Sequence, residues 1–187
     1  AGSTSPDASA VLEQYGVINR IEISDGGSGY TSTPTLEVDA PASFSFSTFA
    51  DVSTSNNTIT LPDNPFQNGS RLVYNWGASG SENIGLTNGN TYYVVQKSGN
   101  TFKVSNTSGG SAISLTASAD EASAQTHNFD GVRAVVTATM TGDVISGLTI
   151  SEQGTFYDGG NLPTITISEA GQTTHATLQV YCGRSIA

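Results

Sequence analysis

The strongest constraint in the sequence is a segment that occurs twice. Val17-Ile18-Asn19-Arg20-Ile21-Glu22-Ile23-Ser24-Asp25-Gly26-Gly27-Ser28-Gly29-Tyr30 is followed by Pro34-Thr35-Leu36-Glu37-Val38. Far downstream it returns as Val144-Ile145-Ser146-Gly147-Leu148-Thr149-Ile150-Ser151-Glu152-Gln153-Gly154-Thr155-Phe156-Tyr157, followed by Pro163-Thr164-Ile165-Thr166-Ile167. Val17 matches Val144, Ile21 Leu148, Ile23 Ile150, Gly27 Gly154 and Tyr30 Tyr157; Pro34 matches Pro163 after the insertion Gly159-Gly160. A recurrence of this kind marks one supersecondary unit used twice. Ile21 and Ile23 alternate with polar residues, the pattern of a half-buried strand. Gly26, Gly27 and Gly29 are expected to supply positive φ in the turn. Tyr30 is expected to lay its ring over that turn and reach a backbone group with its hydroxyl, and Pro34 to open a second strand. The second copy places Glu152-Gln153 and Thr155-Phe156 around Gly154, which argues against an identical turn there.

Between the copies runs a different segment, roughly Phe44 to Phe129. Asn57-Thr58-Ile59-Thr60-Leu61 alternates until Pro62-Asp63-Asn64-Pro65 breaks it, and Arg71-Leu72-Val73-Tyr74 follows Asn68-Gly69. Thr91-Tyr92-Tyr93-Val94-Val95-Gln96 and Thr101-Phe102-Lys103-Val104, joined by Ser98-Gly99-Asn100, read as a β-hairpin. A further strand is expected over Ala112–Thr116, and Ala117–Ala124 reads as a loop. Val132–Met140 and Val144–Ile150 form a second hairpin across Thr141-Gly142-Asp143, and His175–Tyr181 a last strand. No long stretch has helical periodicity, so the chain is expected to be all-β. The host is a small β-sandwich or barrel-like domain built from the two repeats (residues 16–43 plus 130–182). Inserted into it is an antiparallel β-meander module (44–129), and arms are expected at 1–15 and 183–187. Insertion through neighbouring strand ends leaves a host sheet intact.

Composition narrows the function. Of 187 residues 6 are basic and 16 acidic, a net charge of −10, the wrong sign for a nucleic-acid or anionic-lipid surface. Charged residues make up 12 %, about half the usual share; hydroxyls and amides carry the polarity instead. No run of about 18 apolar residues suggests a membrane span, Ala1–Pro6 does not resemble a secretory signal, and the single cysteine, Cys182, cannot form an internal disulfide.

Candidate reactive residues do not gather. His127 and His175 lie in different segments without metal-ligand spacing, and read as polar strand-end residues. Cys182 has Arg184 near it but no base, and reads as a buried or interface cysteine. Gly26-Gly27-Ser28-Gly29-Tyr30 lacks the last glycine and the strand-to-helix context of a nucleophile elbow, and no Gly-Lys-Ser/Thr follows to make a phosphate loop. Asp25, Asp63, Asp120, Glu121, Asp130, Asp143, Glu152 and Asp158 are too scattered for a calcium loop. Trp76, Tyr92 and Tyr93 are the stacking candidates for a glycan, with core packing the simpler reading. Asn56, Asn68 and Asn106 open N-x-S/T triplets, which a chain this rich in Asn, Ser and Thr produces without glycosylation. The sequence offers no catalytic, cofactor-binding or metal-ligating residues and implies no cofactor.

The two copies resemble the V-x-x-I-x-I-x-x-G-G-x-G-Y-x-x-x-P-T-V-x-I repeat of virion structural proteins of tailed bacteriophages, especially those of marine cyanobacteria. The middle segment is similar to another phage-associated β-unit. Its marks are Asn57–Pro62, Phe66-Gln67-Asn68-Gly69, Leu72-Val73-Tyr74, Gly85-Leu86-Thr87-Asn88-Gly89-Asn90-Thr91-Tyr92-Tyr93-Val94 and Asn100–Val104. The resemblance implies a non-enzymatic virion protein, assembled in the host cytoplasm and placed on the capsid surface. A decoration or cement protein binding the major capsid protein lattice, and possibly copies of itself, is the leading expectation; neither nucleic acid nor membrane is an expected partner. A neck, tail or fibre component is the alternative, and a carbohydrate-binding module a third.

Overall fold

A computed structural model describes residues 15–76, 84–118, 125–169 and 172–183. Among these residues there is no helix: the fold is all-β and sandwich-like, with every strand pair antiparallel. The strands are β1 (Tyr15–Asp25), β2 (Thr35–Val38), β3 (Ser43–Ser47), β4 (Val52–Ser53), β5 (Thr58–Thr60), β6 (Arg71–Trp76) and β7 (Thr91–Ser98). They continue with β8 (Thr101–Ser105), β9 (Thr126–Asp130), β10 (Val135–Thr141), β11 (Val144–Glu152), β12 (Tyr157–Asp158), β13 (Ile165–Ser168) and β14 (Thr177–Gly183). Tyr15 and Gly183 thus belong to strands, and the rest of the two expected arms lies outside the described residues, as does most of Ala117–Ala124.

The sheets divide along the sequence. One seven-stranded sheet, in the order β3-β9-β6-β7-β8-β5-β4, uses only residues 43–130, with β6-β7-β8 as a meander at its centre. The flanking residues build β12-β1-β14, β10-β11 and β13-β2. The two connections leave side by side: Ser43 pairs with Asp130, and Gly131 N donates to Ala42 O at 2.9 Å. Period-two alternation explains the larger core, since Leu72 and Tyr74, Tyr92 and Val94, and Phe102 and Val104 all turn to one face. Phe46 and Phe129 stack across β3 and β9 with ring centroids 5.1 Å apart. Leu61, Phe66, Ile84, Leu86 and Leu115 cover that face from the connecting segments.

Three expectations need correction. Ala112–Thr116 is not a strand. Ile113 N donates to Val104 O, Leu115 N to Asn57 Oδ1 and Thr116 N to Ile84 O, so successive amides find different partners and no ladder forms. Of the three glycines in the first turn, only Gly27 and Gly29 have positive φ; Gly26 is small for another reason, because a Cβ there would lie 2.5 Å from Ile145 O in the other copy. The third correction concerns the second turn, which does repeat the first.

The two copies are related by an internal pseudo-dyad, visible in reciprocal hydrogen bonds. Ile145 N donates to Gly26 O and Ile18 N to Gln153 O, each at 3.0 Å. Ser28 N donates to Thr174 O at 3.0 Å and Thr155 N to Val132 O at 2.9 Å. The tyrosine hydroxyls accept equivalent bonds: Ala176 N donates to Tyr30 Oη and Ala134 N to Tyr157 Oη, both at 2.9 Å. Asp25 Oδ1 caps Gly27 N at 2.9 Å and Glu152 Oε1 caps Gly154 N at 3.0 Å. The second strands pair with each other, Leu36 with Ile167 and Val38 with Ile165, so the axis passes by Glu37 and Thr166. Each first strand is paired by a strand from elsewhere, β1 by β14 and β11 by β10, which the tyrosine bonds identify as equivalents. Ile18, Val38, Ala134, Val136, Tyr157 and Val180 form the smaller core where these pairs meet.

Candidate functional site: turns, seam and outer edges

Many of the described acidic side chains are bound to the turns of the fold. Besides Asp25 and Glu152, Asp143 Oδ2 accepts from Gly29 N at 3.0 Å and Asp158 Oδ1 from Gly160 N at 2.8 Å. Asp39 Oδ2 accepts from both Thr164 N and its hydroxyl, at 2.8 and 2.7 Å, and those bonds hold its carboxyl below the usual carboxylate range. Glu169 Oε1 accepts from the amides and hydroxyls of Thr31 and Ser32. Burial alone would raise its carboxyl, and these bonds outweigh that and lower it. Asp51 accepts from Ser47 N at 2.7 Å, and Asn75 donates to Asp130. Asp63 occupies a left-handed turn position at φ 54°, while Asp120 and Glu121 lie outside the described residues. Among the described residues no three His, Cys, Asp or Glu side chains gather as a metal would need.

Of the other residues singled out from sequence, His127 and Trp76 come together, as core neighbours. His127 is not a polar strand-end residue: it is 0 % exposed inside β9, its Nδ1 2.6 Å from the Tyr74 hydroxyl, with the Phe46 and Trp76 rings beside it. The clue in the sequence was its place two residues before Phe129, in phase with the core face. His175 is exposed before β14, 3.3 Å from Gln172 Nε2. Ser28 is bridged to Thr174 through its backbone. Cys182 is half-buried on β14 opposite Ile18, and burial, helped by Asp158, pushes its thiol up, away from the reactive thiolate. Tyr92 is 3 % exposed and its hydroxyl accepts from Thr87 N at 2.7 Å, so it offers no stacking face. Tyr93 points to the opposite side of the sheet, and Trp76 packs edge-on against Tyr74. Asn68 is exposed with its Oδ1 accepting from Lys97 N, and Asn56 and Asn106 are exposed in turns.

What sequence reasoning missed is the seam between the duplicated strands and the seven-stranded sheet. Arg71 Nη1 donates to Glu152 Oε2 at 2.9 Å and Nη2 to Oε1 at 2.5 Å, a fork with about a third of each side chain exposed. The Arg71 guanidinium holds the Glu152 carboxyl below its usual range. Thr155 Oγ1 donates to Arg71 O at 3.2 Å. Phe156 leaves the second turn with φ 58° and enters the large core against Tyr15, Phe44 and Phe66, at centroid distances of 6.5, 5.7 and 5.3 Å. Its counterpart in the first copy is Gly29, φ 79°, where a Cβ would stand 2.5 Å from Thr173 Oγ1. The position matching Thr173 in the second copy is Gly131. Only the repeat alignment carries a signal for this exchange: an aromatic residue at the glycine site.

The surface also offers unpaired sheet edges. Among the described residues β13 pairs only with β2, and β14 only with β1. Among the described residues Phe49, Val135 and Leu162 are the large apolar side chains that stand exposed. Compared with known proteins, the chain matches no family model, no curated protein and no solved structure.

Proposed function

We propose that the chain is a structural protein of a tailed-phage particle, a decoration or cement subunit seated on the major capsid protein lattice. The observation that carries this reading is the use made of polar side chains: most of the described acids are engaged by turn amides, neighbouring hydroxyls or arginines, which ties the strands and turns to one another. A cement subunit has to hold its shape while its edges and apolar patches bind neighbours, and strands locked by side chain-to-turn bonds supply that stiffness. Net negative charge keeps such a subunit from competing for the packaged genome. The repeat resemblance agrees with the same role, and the work is mechanical: burying surface across capsomer junctions against internal pressure.

The test is to prepare particles with and without this chain and to heat them while following release of DNA. Particles lacking the chain should release DNA at lower temperature, and adding the purified chain back should restore retention. Heads that retain DNA equally well without it, in particles that instead fail at the neck or tail, would move the chain to that part of the virion.

A further inference from the structure

The second strands of the two copies are fastened to each other at both ends by carboxylates. Asp39, directly after β2, accepts from the amide and the hydroxyl of Thr164, directly before β13. Glu169, directly after β13, accepts through Oε1 from residues shortly before β2. Its donors are the amides of Thr31 and Ser32 at 2.9 and 2.8 Å and their hydroxyls at 2.9 and 3.2 Å. Each strand therefore ends in an acid that grips the chain entering the other. Between the clasps lies a ladder of four residue pairs, Thr35–Val38 against Ile165–Ser168. Among the described residues β13 has no second strand beside it. Ile165 and Ile167 are only partly buried, whereas Val38 on β2 is 1 % exposed. Side-chain burial thus holds β13 less firmly than it holds β2.

We infer that β13 is an acid-released strap, closed while Asp39 and Glu169 are both charged and free to leave β2 once both are protonated. A carboxylate holds several amides and hydroxyls at once because of its charge; a neutral carboxyl accepts more weakly, and one of its oxygens becomes a donor. Around Asp39 stand Arg133, Tyr157 and Asp158, and Arg133 also engages Glu37 in the middle of β2. The groups that act on Glu169 are the neutral Thr31 and Ser32. From β14 no charged side chain enters the lining of the cavity it shares with β13. Both carboxyls lie below their usual range in the folded chain, Asp39 through its Thr164 bonds and Glu169 because its bonds outweigh burial. Groups lowered in this way stabilise the closed strap above their free values of about 3.9 and about 4.3. That contribution is lost as pH falls through the lower folded values. Both clasps fail in the same range, while the seven-stranded sheet keeps its larger core. Release uncovers Val38 and leaves the β2 edge open to pairing.

The experiment follows hydrogen exchange in the full chain at about pH 6 and about pH 3, on either side of the ordinary carboxylate range. Protection of the amides bonded between β2 and β13, corrected for the intrinsic pH dependence of exchange, should fall by about tenfold or more in acid. The amides of β6–β8 should keep theirs. The double variant Asp39→Asn/Glu169→Gln should show the reduced protection already at the higher pH and lose the difference between the two. Pinning the strap through a disulfide in Leu36→Cys/Ile167→Cys, a directly opposed pair, in a Cys182→Ser background should keep the ladder protected in acid. Equal protection of the native ladder at both pH values overturns the inference, and so does a loss that comes only together with that of β6–β8. A native pH response that survives in the double variant, or in the pinned chain, overturns it as well.

Discussion

The two turns of the repeat have the same backbone and opposite attachments. The first, through Gly29, is closed on itself: Thr173 occupies the space beside it, and any side chain would collide. The second, through Phe156, keeps the left-handed conformation with a bulky residue, at a cost of about 1–2 kcal/mol. That strain is offset by burying a phenyl ring in the core of the inserted sheet, where Phe→Ala changes cost about 3–5 kcal/mol. One copy is therefore a plain structural unit and the other is the mount of the seven-stranded sheet. A duplicated motif can diverge in this way because the hydrogen bonds that fix the turn come from backbone groups, Asp25 or Glu152, and Tyr30 or Tyr157, none of which depends on the residue at the glycine site.

The sharpest test of that contrast is Phe156→Ala, which should destabilise the protein by about 3–5 kcal/mol in denaturant unfolding. Phe156→Gly should cost about 1 kcal/mol less than Phe156→Ala, because glycine removes the strain while losing the same ring; a glycine variant worse than alanine would refute the strain argument. Next comes Gly29→Ala, expected to cost about 2 kcal/mol through strain and its collision with Thr173. Combining it with Thr173→Gly reproduces the second copy's arrangement, and a double-mutant cycle should show a favourable coupling of about 1 kcal/mol.

Smaller effects compare the tyrosines. Tyr157 Oη accepts from Ala134 N and donates to Asp39 O at 3.2 Å, whereas Tyr30 Oη accepts from Ala176 N. Tyr157→Phe should cost about 2 kcal/mol and Tyr30→Phe about 1 kcal/mol, read from thermal unfolding. Smallest is Glu152→Gln, which keeps one acceptor oxygen for Gly154 N and Arg71 Nη2 but removes the charge and the second bond of the fork; about 1 kcal/mol is expected near neutral pH. The Glu152 carboxyl is lowered in the folded protein, so its contribution is fully present above the unfolded value of about 4.3. It is lost as pH falls through the lower folded value. Stability curves of the native chain and Glu152→Gln should converge in acid; a gap that persists there would mean the fork is not the cause.

Much of the fold was legible in local pattern. The Gly99-Asn100 hairpin and the alternation around Ile59 follow from residues close in sequence, and the paired tyrosines from the repeat, although each hydroxyl meets an amide far along the chain. Strands β3 and β9 were not singled out although Phe44 and Phe46 alternate with serines, because serine-rich stretches also suit loops. The pairing of β1 with β14 depends on contacts between distant segments, which periodicity does not encode. For the candidate site, the scatter of carboxylates along the sequence was visible; their common use as turn caps was not, since a cap is defined by the backbone amide it meets.

The central proposal is that this chain is a decoration subunit on a capsid lattice. It is tested most directly by measuring the ratio of this chain to the major capsid protein in purified particles. The account predicts a fixed ratio comparable to that of the lattice subunit, with the chain removed by mild stripping of the outer surface. A chain absent from particles, or present only at the level of a single small ring, would contradict it.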